Sequence, residues 1–345
     1  KKIVYVLYDH SKSQTIEWVA ESSISKNFDL YFVCMSKNPG TSYMDKFLEN
    51  LKIPVFYIVY KGKKDLPHTI LKLISYFRKI KPDVVHTHLF DATISGLIAA
   101  FFTRIPKRIY TRHHSNPNHL HFPHAVLYDR ITNFLATHIV ATCKNTKWVL
   151  CNLEKVPESK VRVINFGFKL EQFKEISTDR IEHIKKKYLP NKIKKPVIGV
   201  ISRWMEIKGL QYIIPAFQKL LTIFPNAYLI LVNTRYSNYV KTIQELLNQL
   251  PSDSYYVSNL EEDIAALYKV FDIFVHTPIN PQCEGFGQTY IEALAAAVPS
   301  VFSLSGVAAE FIKGGKNALV VEFESAESIF NALVRLTNDI SLGKQ

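Results

Sequence analysis

The chain has 345 residues, 47% of them hydrophobic, with 43 Lys plus Arg against 30 Asp plus Glu. That length allows two domains with sizeable cores, but the longest apolar run, Ile94–Phe102, is far short of a membrane span. Four scattered cysteines, Cys34, Cys143, Cys151 and Cys283, form neither a zinc knuckle nor a disulfide framework and suit a reducing cytosol.

Lys1-Lys2 leads straight into a strand-like run, Ile3–Tyr8, so no secretory leader is expected. Further short, β-branched runs follow at Leu30–Cys34, Val55–Ile58, Val84–Thr87, Arg108–Thr111, His138–Ala141 and Val161–Ile164. Helical spacing separates them, as at Leu66–Ile80. Residues 174–195 turn polar and basic, bounded by Pro190 and Pro196, and read as a connecting segment with a short helix at Arg180–Lys187. Beyond it the alternation resumes with Val197–Ile201, Tyr228–Val232, Tyr255–Val257, Ile273–His276, Ser300–Phe302 and Leu319–Val321. Short apolar strands joined by helices predict parallel sheets with crossover connections. The expected fold is α/β: two Rossmann-like, doubly wound domains facing across a cleft, over residues 1–173 and 196–345, joined by 174–195. Residues 1–175 carry a net +12 and the rest +1, so the first half suits an anionic partner such as a membrane surface.

Arg203 and Lys208 stand in the strand-to-helix loop after Val197–Ile201, where two cations can neutralise a diphosphate. Alternatively, one of them pairs with Glu206. Farther on, Glu284-Gly285-Phe286-Gly287-Gln288-Thr289 leads to Glu292. The two glycines let the backbone bend sharply near a ligand. A helix opening just after Gly287 would offer unpaired N–H groups to a phosphate or a hydroxyl. Eight of the twelve histidines lie between His86 and His138. His86 and His88 share one strand face and His113-His114 follow another strand, yet no zinc-ligand pattern accompanies them. No Gly-rich dinucleotide fingerprint, Walker loop, nucleophile elbow or nucleic-acid module is present.

Together these residues resemble the retaining glycosyltransferases of family GT4, which have the GT-B fold. The similarity rests on the Arg203…Lys208-Gly209 loop and the Glu284-to-Glu292 segment. Looser matches are Pro82-Asp83-Val84-Val85-His86-Thr87-His88, Tyr110-Thr111-Arg112-His113 and Val163-Ile164-Asn165-Phe166-Gly167. The resemblance implies that Arg203 and Lys208 hold the donor diphosphate and Glu292 the ribose hydroxyls. It implies that Glu284 orients the transferred sugar with the backbone N–H groups of Phe286 and Gly287, and that Gln288 and Thr289 add phosphate contacts. His113 matches the histidine near the anomeric carbon, with His114 its neighbouring rival. Among the departures from the family pattern, the Asp9–Ser13 loop lacks glycine and Lys169 stands where Asp is frequent.

The implied activity is retaining transfer of a sugar from a nucleotide-diphosphate-sugar to a hydroxyl of a lipid-linked or surface-glycan acceptor. Neither a metal nor a further cofactor is expected, since Arg and Lys supply the charge. The enzyme is expected in the cytoplasm, peripheral on the inner face of a membrane and without a nucleic-acid partner. The alternatives are a GT-B sugar-nucleotide epimerase and a non-enzymatic binder of anionic ligands.

Overall fold

The structure, a computed structural model, describes residues 1–8, 13–25, 28–189, 194–233 and 239–339. Most of the Asp9–Ser13 loop, and Pro190 and Lys192 of the expected connector, lie outside the described residues. The chain divides into two units, Lys1–Phe168 and Lys169–Gln345.

The first unit is a parallel seven-stranded sheet in the order β3-β2-β1-β4-β5-β6-β7. Its strands are β1 Lys2–Tyr8, β2 Asp29–Ser36, β3 Val55–Val59, β4 Val84–His88, β5 Lys107–Arg112, β6 His138–Ala141 and β7 Val161–Val163. Period-2 alternation feeds both faces. Val4 and Val6 of β1 pack with Leu73 and Phe77, whereas Leu7 joins Ile16, Met44 and Leu48 on the other side. Helix Leu66–Ile80 buries Thr69, Leu73 and Phe77, one stripe at four-residue spacing, with Pro67 in its first turn and left-handed Lys81 ending it. Helices Leu66–Ile80, Phe90–Phe102 and Ala125–Leu135 lie side by side, the second packing against both others.

The second unit is a parallel six-stranded sheet, β10-β9-β8-β11-β12-β13. Its strands are β8 Val197–Ile201, β9 Tyr228–Val232, β10 Tyr255–Ser258, β11 Ile273–His276, β12 Ser300–Phe302 and β13 Leu319–Val320. Every residue of β8 and β9 is buried, as expected for central strands covered on both faces. Ile198 and Val200 pack with Leu210 and Leu333, and Val197 and Ile201 with Tyr268 and Tyr290.

Residues 174–195 require a correction. Helix Thr178–Tyr188 belongs to the second unit, with Ile184 and Tyr188 fully within its core. Arg180 pairs with Asp263 at 2.7 Å, and Lys187 Nζ and Tyr188 Oη both donate to Glu261, at 2.7 and 2.8 Å. A run of lysines hid two apolar anchors at i and i+4 and three polar side chains with distant partners.

In each sheet the strand order reverses once, between β1 and β4 and between β8 and β11. At such a switch point neighbouring connections leave on opposite faces, opening a crevice beyond the carboxyl ends of the strands. The loops carrying Arg203 and Lys208, and those leading to Glu284, leave the second switch point.

Candidate active site

The loop after β8 extends the sheet by one bond, Ser202 N–H donating to Val232 O at 3.0 Å. A short turn over Glu206–Lys208 follows and ends at Gly209, whose φ is +76°. A Cβ at Gly209 would stand 1.9 Å from the carbonyl oxygen of Thr277, which follows β11. Only glycine allows the two loops to close this way.

That closure places the Lys208 ammonium 2.5 Å from Glu284 Oε1. His276, the last residue of β11, holds the same oxygen through Nε2 at 2.9 Å. The Glu284 backbone N–H donates to Ser305 Oγ at 3.1 Å, and Ser305 Oγ donates to Pro281 O at 3.2 Å. Tyr290 props the arrangement from below, with its ring edge-on to His276 at 4.8 Å and its hydroxyl donating to Ser303 O at 2.9 Å. Gly287 has φ +92°, and a Cβ there would meet the Tyr290 ring at 2.6 Å.

Burial alone would raise the Glu284 carboxyl; the Lys208 charge and the His276 hydrogen bond outweigh it and hold Glu284 well below the usual carboxylate range. Burial lowers His276, so its imidazole stays neutral and donates from Nε2. Glu284 is therefore a fixed, ionised acceptor.

Glu292 has another environment. Its Oε2 accepts from the buried Tyr268 hydroxyl at 3.0 Å, and burial pushes its pKa up to about 7. The helix Gln288–Ala295 separates the two glutamates in role: Glu284 lies in the loop before it and Glu292 in its second turn. Gly287 is its N-cap and makes no side-chain capping hydrogen bond, so the positive end of the helix dipole lies at this turn. Gln288 is exposed and Thr289 half-buried there. Phe286 is buried and its carbonyl accepts from Val307 N–H at 3.0 Å. Arg203 is exposed, and its guanidinium has no partner among the described residues. Lys208 pairs with Glu284 and not with Glu206.

In the first unit, His113 follows β5, and its Nε2 lies 3.0 Å from Nδ1 of His88 at the end of β4. Tyr5 stacks on His88 at 5.5 Å and Phe166 on His113 at 5.8 Å. His86 Nε2 meets Thr111 Oγ1 at 2.8 Å; burial, with His113 nearby, lowers its pKa to about 3. His114 turns elsewhere, to Asn118 at 3.1 Å and Asp129 at 3.5 Å. It joins a buried network in which Arg112 grips Asp129 at 2.6 and 3.1 Å and Glu154 at 2.5 Å. The adjacent histidines thus part, His113 to the carboxyl end of β4 and His114 to the network. A cavity of about 390 Å³ also opens at the carboxyl ends of β1 and β2, walled by Tyr8, Met35, Lys37, Asn38, Thr41 and Ser42.

Both halves of the chain match glycosyltransferase families. Residues 181–344 match Glycosyl transferases group 1, and residues 21–172 match Glycosyltransferase Family 4. The chain belongs with the glycosyltransferases. It is 26% identical over 324 residues to the capsular polysaccharide biosynthesis glycosyltransferase CapM of Staphylococcus aureus, spanning 92% of this chain and 82% of CapM. It is 24% identical over 330 residues to the UDP-Gal:alpha-D-GlcNAc-diphosphoundecaprenol alpha-1,3-galactosyltransferase of Escherichia coli, with 91% and 81% covered. Anabaena HepE, solved in complex with UDP and glucose, superposes with a TM-score of 0.80 at 19% identity, over 99% of this chain and 91% of that one. Two parallel-sheet Rossmann-like domains and these neighbours make the fold GT-B.

For this glycosyltransferase, sequence reasoning missed His276, Ser305 and Tyr290 as supports of Glu284. The position of His276 at the end of a strand was the available signal, because strand ends beside a switch point face ligands.

Proposed function

We propose that the protein transfers a sugar from a nucleoside diphosphate donor to a lipid-linked acceptor in the synthesis of a surface glycan, with retention at the anomeric carbon. The observation that carries this reading is Glu284, ionised and fixed by Lys208 and His276 at the second switch point. A carboxylate that only accepts hydrogen bonds suits sugar hydroxyls, and it is already paired, which makes it a poor nucleophile. Departure of the diphosphate is then assisted by positive charge. That role is assigned to Arg203 and Lys208, with the opening turn of helix Gln288–Ala295 adding its dipole. Glu292 takes the ribose hydroxyls, and Phe286, Gly287, Gln288 and Thr289 line the phosphate. His113, fixed by His88, works near the anomeric carbon, and the cavity beside Lys37 receives the acceptor. A uridine donor and a lipid-diphosphate acceptor follow the named chemistry of the Escherichia coli relative, and the HepE complex with UDP supports the uridine. The basic first half favours an anionic membrane surface.

A thermal-shift screen against UDP-, GDP- and ADP-sugars, followed by NMR of the product anomer, tests this. A uridine donor should raise the melting point, and the new linkage should keep the donor's configuration. Inverted product would remove the retaining mechanism. Epimerised donor without acceptor would favour the epimerase reading, which has less support because both matching families are glycosyltransferases.

A further inference from the structure

Helix Ala125–Leu135 carries an apolar stripe on its outer side. Leu127, Ile131 and Phe134, spaced i, i+4 and i+7, share one face and are 62%, 37% and 76% exposed. The neighbouring helix Phe90–Phe102 ends in Phe101 and Phe102, and Phe102 is 65% exposed. The two helix ends are tied together. Arg108 lies over the Phe101 ring at 5.6 Å while its Nε donates to Leu135 O at 2.8 Å. Lys160 Nζ caps the same helix end, donating to the carbonyls of Asn133 and Phe134. Exposed large apolar side chains grouped on adjacent helices mark a candidate interaction surface.

Along this stretch of the chain the exposed charge has one sign. Arg104 and Lys107, in and beside the turn after Phe102, and Arg130, within the stripe's own helix, are all exposed. Across residues 92–153 the sequence contains one carboxylate, Asp129. It is buried and bound to Arg112. Aromatic and aliphatic side chains rimmed by cations, with no surface carboxylate among them, match the layered chemistry of an anionic bilayer: acyl chains below, phosphates above. No helix among the described residues is long and apolar enough to cross a membrane.

We propose that this face seats the first domain on an anionic lipid surface, with the stripe entering the headgroup layer and Arg104, Lys107 and Arg130 meeting phosphates. The proposal rests on the reading that the acceptor is lipid-linked, and it assigns the membrane contact to one surface.

The test is co-sedimentation of the full chain with vesicles of equal parts phosphatidylcholine and phosphatidylglycerol, and with phosphatidylcholine alone. Two double variants, Phe102→Ser with Phe134→Ser and Arg104→Glu with Lys107→Glu, change exposed side chains, and circular dichroism confirms their fold. Wild type should bind the anionic vesicles, and each double variant should bind them about tenfold more weakly. Donor hydrolysis in the absence of lipid should stay at the wild-type rate. Absent wild-type binding at low salt, or wild-type-like binding by both variants, overturns the proposal. So does a dimer in light scattering that the Ser variant dissolves while vesicle binding is unchanged, since a second copy would then cover the face. Vesicle binding without any transfer to a lipid-linked acceptor keeps the surface and sinks the acceptor reading instead.

Discussion

Glu284 and Glu292 are eight positions apart in one short segment, and their surroundings drive them in opposite directions. Replacing Glu284 with Gln keeps the shape and removes the charge that Lys208 and His276 hold. We expect kcat/KM to fall by about 10²–10³-fold in a transfer assay. The folded-state pKa of Glu284 is depressed, so its stabilisation is present above the ordinary carboxyl value and lost as pH falls below it. The acid limb of a denaturation series should be steeper in wild type than in Glu284→Gln.

For Glu292 the sign is reversed. Its pKa is raised to about 7, so its contribution to stability is full below the ordinary Glu value and is lost as pH rises through 7. Glu292→Gln should therefore be the more stable protein at about pH 8 and gain little at about pH 5, read by urea unfolding. Calorimetric UDP affinity should also fall in wild type as pH drops from about 8 to about 6, because a protonated carboxyl accepts hydroxyls poorly. The Gln variant should show no such slope.

At the scale of elements, the end of β5 is held by charge. Arg112 is buried with two carboxylates, and truncation to Met leaves Asp129 and Glu154 without their cation. Arg112→Met should cost about 3–5 kcal/mol in denaturant unfolding. It should also loosen His113, the next residue, which a change in its NMR shifts would show. Most strands were legible in the sequence because parallel strands buried on both faces must be short apolar runs, as β8 and β9 are. The glycine turn at Gly287 was legible for an equally local reason, its place before a helix. The supports of these features were not. Arg112 meets Glu154 across 42 positions and Lys208 meets Glu284 across 76, so the sheet order makes those contacts and no spacing announces them. Helix Thr178–Tyr188 was read as a connector because composition averages over Ile184 and Tyr188, the two side chains that decide where it packs.

For the whole molecule, the charge surplus and the proposed nucleotide site fall in different units. The first half carries nearly all of the net charge and the second holds Lys208, Glu284 and Glu292. Saturating UDP should therefore slow amide exchange in the loops after β8 and β11 and in the first turn of helix Gln288–Ala295. The Arg112 network should be unaffected. Protection confined to the first unit would contradict the assignment of the donor to the second.

In the proposed donor site, the Lys208–Glu284 bond also sets what is rejected. Because the ammonium is already neutralised, bare pyrophosphate meets a fixed negative oxygen and gains chiefly from Arg203 and the helix opening. A sugar hydroxyl converts that same oxygen from a liability into a partner. On that reading the bond acts as a coincidence requirement: phosphate charge and sugar hydroxyls must arrive on one molecule, and free pyrophosphate is a weak competitor.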